Sequence, residues 1–491
     1  MDAVSGLLDW FQASGGFLDK SHVGFTVFPD CGRGAVALQD IPEGHILFKI
    51  PRDLLLSTET SALPGHVGLA RWREEKMHVG WVGLILCMMW ETAQGPRSKW
   101  SKYLESLPAT FDTPMFWSAL ELEELKGTSV VEKLGKADAE REFREKLLPM
   151  VQSHPDLFPP DTIPVHYTLE IYHVMGSRIL SRSFDVEKDD PEDETEGEEA
   201  GNTSLGSAMD VDAPQEDAES IHSGASEHAG QDEDAEEEAE EEESSGVSMV
   251  PLADMLNARY GSENAKLYYE KDDLRMVSTK SIKAGEQIWN TYGDLPNAEL
   301  LRRYGHVDML ALPNGDLGNP GDVVEIPADL AVAALHMADS PITRERIDWW
   351  LEQGGDDVVV LESDLEVPLA LVALIRLLRL TTDEWEKAVA KDKVPKPKLD
   401  DTVLTVVRAV LEHRLKEYPS SLDDDVVLLR DESLPLNKRQ AVIVRVGEKR
   451  ILTSAIQKIA AQQSDAQSSR KRKMQPQEGA ETGRTSKTRR R

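Results

Sequence analysis

The chain has only two cysteines, Cys31 and Cys87, in 491 residues. Two thiols are too few for a cysteine metal cluster and give no sign of a disulfide framework, so a reducing, intracellular compartment is expected. Long apolar runs are also missing. The longest, Val79 to Trp90, covers twelve residues, well short of the roughly 20 needed to cross a bilayer, and no membrane association is expected. The N-terminus carries Asp2 and Asp9 with no basic stretch ahead of an apolar one, so no secretory signal is visible. Basic charge is scarce, with 55 Lys and Arg against 89 Asp and Glu. That deficit is local: residues 185–246 hold 26 acids and the single base Lys188, while residues 465–491 hold nine bases and three acids. With the tract's −25 and the tail's +6 set aside, the rest of the chain carries −15 of the total −34.

The length leaves room for two or three domains and a sizeable core. Val4, Leu7, Leu8 and Phe11 fall at helical spacing before the Gly15-Gly16 pair, which predicts a short helix with a glycine stop. Alternation predicts strands at Val23 to Phe28, Ala35 to Leu38 and His45 to Ile50, with turns at Cys31-Gly32-Arg33-Gly34 and Ile41-Pro42-Glu43-Gly44. Gly65 to Pro108 reads as helical, with Trp81, Leu84, Met88 and Trp90 as core, and further helices across 112–150 place Leu120, Leu122, Leu125, Phe143 and Leu147 on apolar faces. Leu169 to Phe184 is helix-like and ends in Ser181-Arg182-Ser183-Phe184. The acidic tract 185–246 has too little apolar content to offset its ordering entropy and is expected to be disordered, as an insertion within one domain. It is read either as a lure for basic substrates or as a solvated spacer.

The most informative stretch is Met249 to Val307. It contains Pro251-Leu252-Ala253-Asp254-Met255-Leu256-Asn257, a strand pair turning at Lys271 to Asp273, the tetrapeptide Asn290-Thr291-Tyr292-Gly293, and a helix ending in Arg303-Tyr304-Gly305. Two aromatic hydroxyls, an amide and several glycines this close together suggest a lined pocket. The wording resembles the C-terminal half of a SET domain, the protein-lysine methyltransferase fold. Within that family it is most similar to the Rubisco large-subunit methyltransferase branch and its fungal ribosomal lysine N-methyltransferase 4 group.

That resemblance implies an α+β fold: a SET β-fold of short sheets with an inserted helical region, followed by an all-α C-terminal domain. The expected layout is a SET domain over 1–307, with a helical insert at about 65–175 and the acidic insert at 185–246. A helical substrate-binding domain over 308–463 and a disordered basic tail over 464–491 follow. The resemblance also implies S-adenosyl-L-methionine as cofactor and Tyr292 as the catalytic residue. The cofactor-binding set it carries over is Gly32, Arg33, Gly34, Ser181, Arg182, Asp254, Asn257, Ala258 and Tyr304. Two positions depart from the family pattern: Ala258 stands where the family has His, and His306 where it has Phe. The sequence Ser98-Lys99-Trp100-Ser101-Lys102-Tyr103-Leu104 through Leu107-Pro108 matches a stretch of the same branch and assigns no chemistry.

Methyl transfer suits this residue set. A lysine with an ordinary pKa near 10.4 is neutral in only about one molecule in two thousand at pH 7. The site must therefore favour proton loss by burial and a nearby positive charge, then aim the nitrogen. A fixed phenol and an aromatic-walled channel suffice, and neither a metal nor an acid–base pair is expected. The implied substrate is a basic ribosomal protein of the large subunit. The alternatives are a nuclear or chromatin protein, or a SET-derived binding module without turnover. The helices expected at Leu330 to Met337, Ile347 to Leu351, Val367 to Leu380, Thr402 to Tyr418 and Asn437 to Ala461 would hold protein substrates. The clusters Arg470-Lys471-Arg472-Lys473 and Arg489-Arg490-Arg491 read as a nuclear import signal, recognised by an import receptor. Direct nucleic-acid binding is not expected, because no aromatics interleave the charges. A monomer and a nuclear location are expected.

Overall fold

Helix Ala3–Ala13 buries Leu7 and Phe11 and ends at Gly15, whose φ of 93° is one that a residue with a side chain rarely adopts. The computed structural model describes residues 3–29, 31–186, 246–337 and 340–474. The bulk of the acidic tract, 187–245, and the end of the basic tail lie outside the described residues, and so does the disorder expected of them. Two compact units divide the chain, Met1–Asp322 with Val427–Val444, and Val323–Val426 with Arg445–Arg491.

The first unit is built on small antiparallel sheets. Strands β1 (Phe17–Leu18), β4 (Ile46–Pro51), β8 (Asp273–Ser278) and β7 (Ala265–Tyr269) form one sheet in the order β1-β4-β8-β7. Strands β2 (Val23–Phe28), β3 (Gly32–Ala37) and β9 (Gln287–Ile288) form a second, and β5 (Ser183–Asp185) pairs with β6 (Val247–Met249). The stretch Cys31–Gly34, expected as a turn, is instead largely strand: Gly34 pairs with Thr26 and Arg33 with Val27. Only Gly32 has a positive φ, 68°. Helices Val82–Gln94 and Leu169–Arg182 pack on these sheets, burying Leu84, Cys87, Met88, Tyr172, Met175 and Ile179 in one core with Phe48 and Met276. Leu120, expected on an apolar face, is 83 % exposed. Its helix, Ala119–Leu122, is one turn long and has no buried face to offer it.

The expected boundary after Val307 moves to Asp322. Asp322 Oδ1 accepts from the Asn297 backbone N–H at 2.8 Å, and Asn319 Nδ2 donates to the Leu295 carbonyl at 2.8 Å. These bonds tie the hairpin β10 (Leu310–Ala311) and β11 (Leu317–Gly318) to the SET segment. Residues 427–444 also belong to this unit, because Ala441 and Val444 bury against Trp117, Leu125 and Leu301.

The second unit is helical, as expected, but it also contains a ribbon that periodicity did not reveal: β12 (Val323–Pro327) pairs antiparallel with β13 (Val358–Glu362). Helix Leu369–Leu378 is its centre, packed with Val407, Val410 and Leu411 from Asp401–Lys416. The last helix runs from Leu436 to Met474, so the first basic cluster of the tail is on helical backbone. Ala, Gln, Lys and Arg favour helix there, and the first breaker is Pro476.

Within this unit Asp425 is buried between two cations, 2.8 Å from Arg445 Nη2 and 2.6 Å from Lys449 Nζ. Asp425→Ala removes the carboxylate from between the two buried cations. A loss of about 3–5 kcal/mol is expected, read as a lower urea midpoint by tryptophan fluorescence.

Candidate active site

β6 leads into Pro251, and the chain then bends at Leu252, a buried residue held at φ 71°. Such a conformation costs about 1–3 kcal/mol and persists where surrounding structure dictates it. Here it starts the 3₁₀ turn Ala253–Met255, which drives the Asp254 carboxylate inward. Tyr103 donates its hydroxyl to Asp254 Oδ2 at 3.0 Å, and Arg182 Nη1 donates to the Asp254 carbonyl at 2.6 Å while lying 3.7 Å from Oδ2. Asp254 Oδ1 is buried with no hydrogen-bond partner among the described residues. Burial pushes the Asp254 carboxyl up to about 6, although Arg182 and Tyr103 pull it back toward the ionised form. Burial likewise drives the Tyr103 phenol well above its ordinary value, reinforced by the Asp254 charge.

Three residues further on, Asn257 meets the glycine motif. A Cβ on Gly34 would lie 2.4 Å from Gln287 Oε1 and 2.6 Å from Asn257 Nδ2, and Asn257 Nδ2 donates to Gln287 Oε1 at 2.9 Å. Gly34 is thus required for close approach and not for a turn. The backbone N–H of Asn290 donates to the Asn257 carbonyl at 2.9 Å, and Ala258 bridges Asn290 in parallel. Tyr292 follows directly. Its hydroxyl donates to the Leu256 carbonyl at 3.2 Å, and its ring stacks on Tyr304 with centroids 4.2 Å apart and planes 2° apart. Burial raises the Tyr292 phenol far above its ordinary value, with Tyr304 adding to the shift.

These groups line a cavity of about 610 Å³, within the range of small-molecule sites. Of the ten residues singled out in the sequence, Arg33, Ser181, Arg182, Asp254, Asn257, Ala258, Tyr292 and Tyr304 line it. Gly32 opens β3 beside Cys31, which also lines it, and Gly34 packs under Asn257. Ser181 donates its hydroxyl to the Ser177 carbonyl at 2.7 Å, so it faces the cavity as an acceptor. Sequence reasoning missed Asp112, Arg259 and Asp308 in the lining, and Tyr103 behind it. Tyr103 belongs to a stretch the sequence reading did single out, but nothing in that wording says that its hydroxyl reaches Asp254. A bound cofactor of S-adenosylmethionine size fits this cavity: the Arg33 and Arg182 guanidiniums and the glycine-backed Asn257 amide, with Asp254 Oδ1 buried behind them, are the groups that would hold it.

The raised Asp254 pKa sets a pH signature. Its folded value, about 6, exceeds the unfolded 3.8, so the folded state binds the extra proton between these limits and loses stability as pH rises through them. Relative to Asp254→Asn, the native chain is expected to lose about 2 kcal/mol from pH 4 to 6 and only a few tenths more from pH 6 to 7. The difference in urea midpoint between the two proteins across pH 4–7 measures this.

Comparison with known proteins agrees with the geometry. The SET domain model matches residues 32–293, and the Rubisco LSMT substrate-binding model matches 338–452. An N-lysine methyltransferase setd6 of Salmo salar is 30% identical over 459 residues, 85% of this chain and 88% of the relative. The ribosomal lysine N-methyltransferase 4 of Saccharomyces cerevisiae is 32% identical over 280 residues, 56% of this chain and 49% of the relative. A solved structure of Rubisco LSMT bound to AdoMet superposes with a TM-score of 0.63 at 20% identity, covering 98% of each chain. The SET match spans more than half the chain and includes the glycine strand, Asp254, Asn257 and Tyr292, and the chain belongs to the SET-domain protein-lysine methyltransferases, enzymes that draw their methyl group from S-adenosylmethionine.

Proposed function

We propose that the substrate is a lysine of a basic protein, in the first instance one from the large ribosomal subunit. One observation carries the catalytic part of this reading. Gly34 and Asn257, more than 220 residues apart in sequence, touch beside the stacked pair Tyr292 and Tyr304. S-adenosylmethionine, when bound, supplies an electrophilic methyl group on a sulfonium. Arg33, Ser181, Arg182, Asp254, Asn257, Ala258 and Tyr304 are the residues that would hold it, with Gly32 and Gly34 shaping the strand alongside.

The side chains divide the remaining work. Tyr292 stays a neutral phenol at working pH, because burial opposes its ionisation; it orients the amine and does not take its proton. Its hydroxyl hydrogen is given to the Leu256 carbonyl, which leaves the phenol oxygen to accept from the incoming nitrogen. Stacking on Tyr304 fixes the ring in the plane this requires. Asp112 and Asp308 at the cavity wall attract the protonated side chain, and burial deeper in disfavours its charge, so the amine loses its proton to solvent on entry. Holding donor and acceptor in line is worth up to roughly 7–11 kcal/mol.

The yeast relative's name supports the ribosomal substrate. A second reading keeps the chemistry and changes the target to a nuclear protein, and coverage favours giving it equal trial. The SETD6 relatives, whose names carry no ribosomal substrate, align over most of the chain, as in the human protein at 28% identity over 86% of this chain. The yeast relative aligns over 56%. The basic clusters at 470–473 and 489–491 support import into the nucleus under either reading.

Purified chain, labelled S-adenosylmethionine and unmethylated ribosomes, run beside a nuclear extract, separate the two targets once the label is mapped. Tyr292→Phe is expected to keep its circular dichroism spectrum and lose at least about 100-fold in transfer rate. Turnover near that of the native chain would remove Tyr292 from the catalytic role.

A further inference from the structure

Outside the residues that line the cavity, the loop after β1 and the start of β4 bring three metal-ligating side chains together. Asp19 Oδ2 lies 2.8 Å from His22 Nδ1 and 2.8 Å from His45 Nε2. The three donor atoms all fall within 4.8 Å of one another, and the two rings are tilted with centroids 4.8 Å apart. The side chains are 17–27 % exposed, shielded from bulk water yet reachable by an ion.

Their backbones are well fixed. The Asp19 N–H donates to the Leu47 carbonyl at 3.0 Å, and the Asp19 carbonyl accepts from His22 and Val23 at 3.1 and 2.8 Å. The His45 N–H donates to the hydroxyl of buried Ser278 at 3.0 Å, and the Ser278 N–H donates back to the His45 carbonyl at 3.0 Å. The carboxylate is aimed as well. Ser21 donates its backbone N–H and its hydroxyl to Asp19 Oδ1, at 3.1 and 2.5 Å, leaving Oδ2 to face both rings. Supporting bonds of this kind are what orient metal ligands. Although burial alone would raise the Asp19 carboxyl, the bonds from Ser21, His45 and His22 hold it far below the usual carboxylate range, so it remains an anion.

Two imidazoles and one carboxylate form a donor set for a borderline divalent transition ion. Without an ion, each ring can donate one N–H to the same oxygen, which brings the three ligand atoms to the spacing of a small coordination shell. A divalent ion satisfies all three groups at once. The geometry points to a site for one ion of the Zn²⁺ type, held by His22 Nδ1, His45 Nε2 and Asp19 Oδ2, with water completing a four-coordinate shell. On binding, each neutral ring presents its lone pair at the ligating nitrogen and carries its proton on the opposite one, so no net proton is lost from a neutral ring. The ion ties the Asp19–His22 loop to the head of β4 and so fixes the N-terminal edge of the β1-β4-β8-β7 sheet. This inference is independent of the choice of methylation substrate.

The test uses the full chain, stripped with a chelator and titrated with Zn²⁺ against a chromophoric competitor, with thermal unfolding in parallel. His22→Asn and His45→Gln each place an amide N–H near the lost ring nitrogen, keeping a donor toward Asp19 while removing a ligand. The native chain is expected to take up one equivalent and to unfold at a higher temperature with Zn²⁺. Each variant is expected to bind at least about 10-fold more weakly and to lose the Zn²⁺-dependent rise, with its metal-free midpoint near that of the native chain. X-ray absorption on the native chain loaded with one equivalent gives a readout that needs no variant: a nitrogen and oxygen shell is expected. No stoichiometric uptake, equal uptake in both variants, or a sulfur shell from a cysteine overturns the site.

Discussion

The contact on which this site depends is the one made where Gly34 has no side chain. Asn257 Nδ2 and Gln287 Oε1 occupy the space a Cβ would need, so the glycine strand β3 and the segment after β6 close on each other. The rest follows from that closure. β9 pairs with β3 through Gln287 and Val36, Asn290 bonds back to Asn257, and Tyr292, two residues on, lands with its hydroxyl on the Leu256 carbonyl. A side chain at position 34 would push the Gln287 and Asn257 amides out of this space, and reactions that depend on alignment are sensitive to displacements of about an ångström.

The electrostatics of the cavity rest on a compromise at Asp254. A buried carboxylate is costly unless it is paired, and Arg182 reaches its carbonyl more closely than its carboxylate, at 2.6 against 3.7 Å. The Tyr103 hydroxyl covers Oδ2, and Oδ1 is buried with no partner among the described residues. A fully satisfied carboxylate would be a structural anchor. A half-satisfied one, raised in pKa and facing a 610 Å³ cavity, is a group with bonding capacity left for a ligand. The helix Leu169–Arg182 serves this arrangement directly, since its last residue supplies the guanidinium and its C-terminus runs into β5.

The sequence made the pocket wall legible where wording is dense: Asp254, Asn257, Tyr292 and Tyr304 lie within some fifty residues, and all four line the cavity. It also made the helices legible where apolar faces are long, as at Leu369–Leu378. It failed where long-range contacts decide. β13 holds Val358-Val359-Val360-Leu361, a short apolar run whose period separates strand from buried helix poorly. The role of Tyr103 depends on Asp254, 151 residues away, and the pairing of Asp19 and His22 with His45 depends on the register of β1 against β4. Propensity alone does not encode such pairings. Arg182 lines the cavity, but the group it reaches at 2.6 Å is a backbone carbonyl, which no side-chain pattern records.

The β5–β6 ladder explains how a strongly acidic insertion coexists with a site that tolerates little displacement. The insertion leaves and re-enters at one end of the β5–β6 pair, where Asp185 lies opposite Val247 and the Val186 N–H donates to the Gly246 carbonyl at 2.9 Å. Gly246 is needed there, because a Cβ would come within 2.2 Å of the Val186 carbonyl oxygen. From this clamp, Arg182 is one residue before β5, and Asp254 is five residues past the end of β6. The insertion's ends are thus held at the spacing of paired strands whatever lies between them. Closing a longer loop on a fixed pair of ends costs only a logarithmic increment in entropy, so the tract's length and charge are free to vary while the distance from Arg182 to Asp254 is set by the ladder.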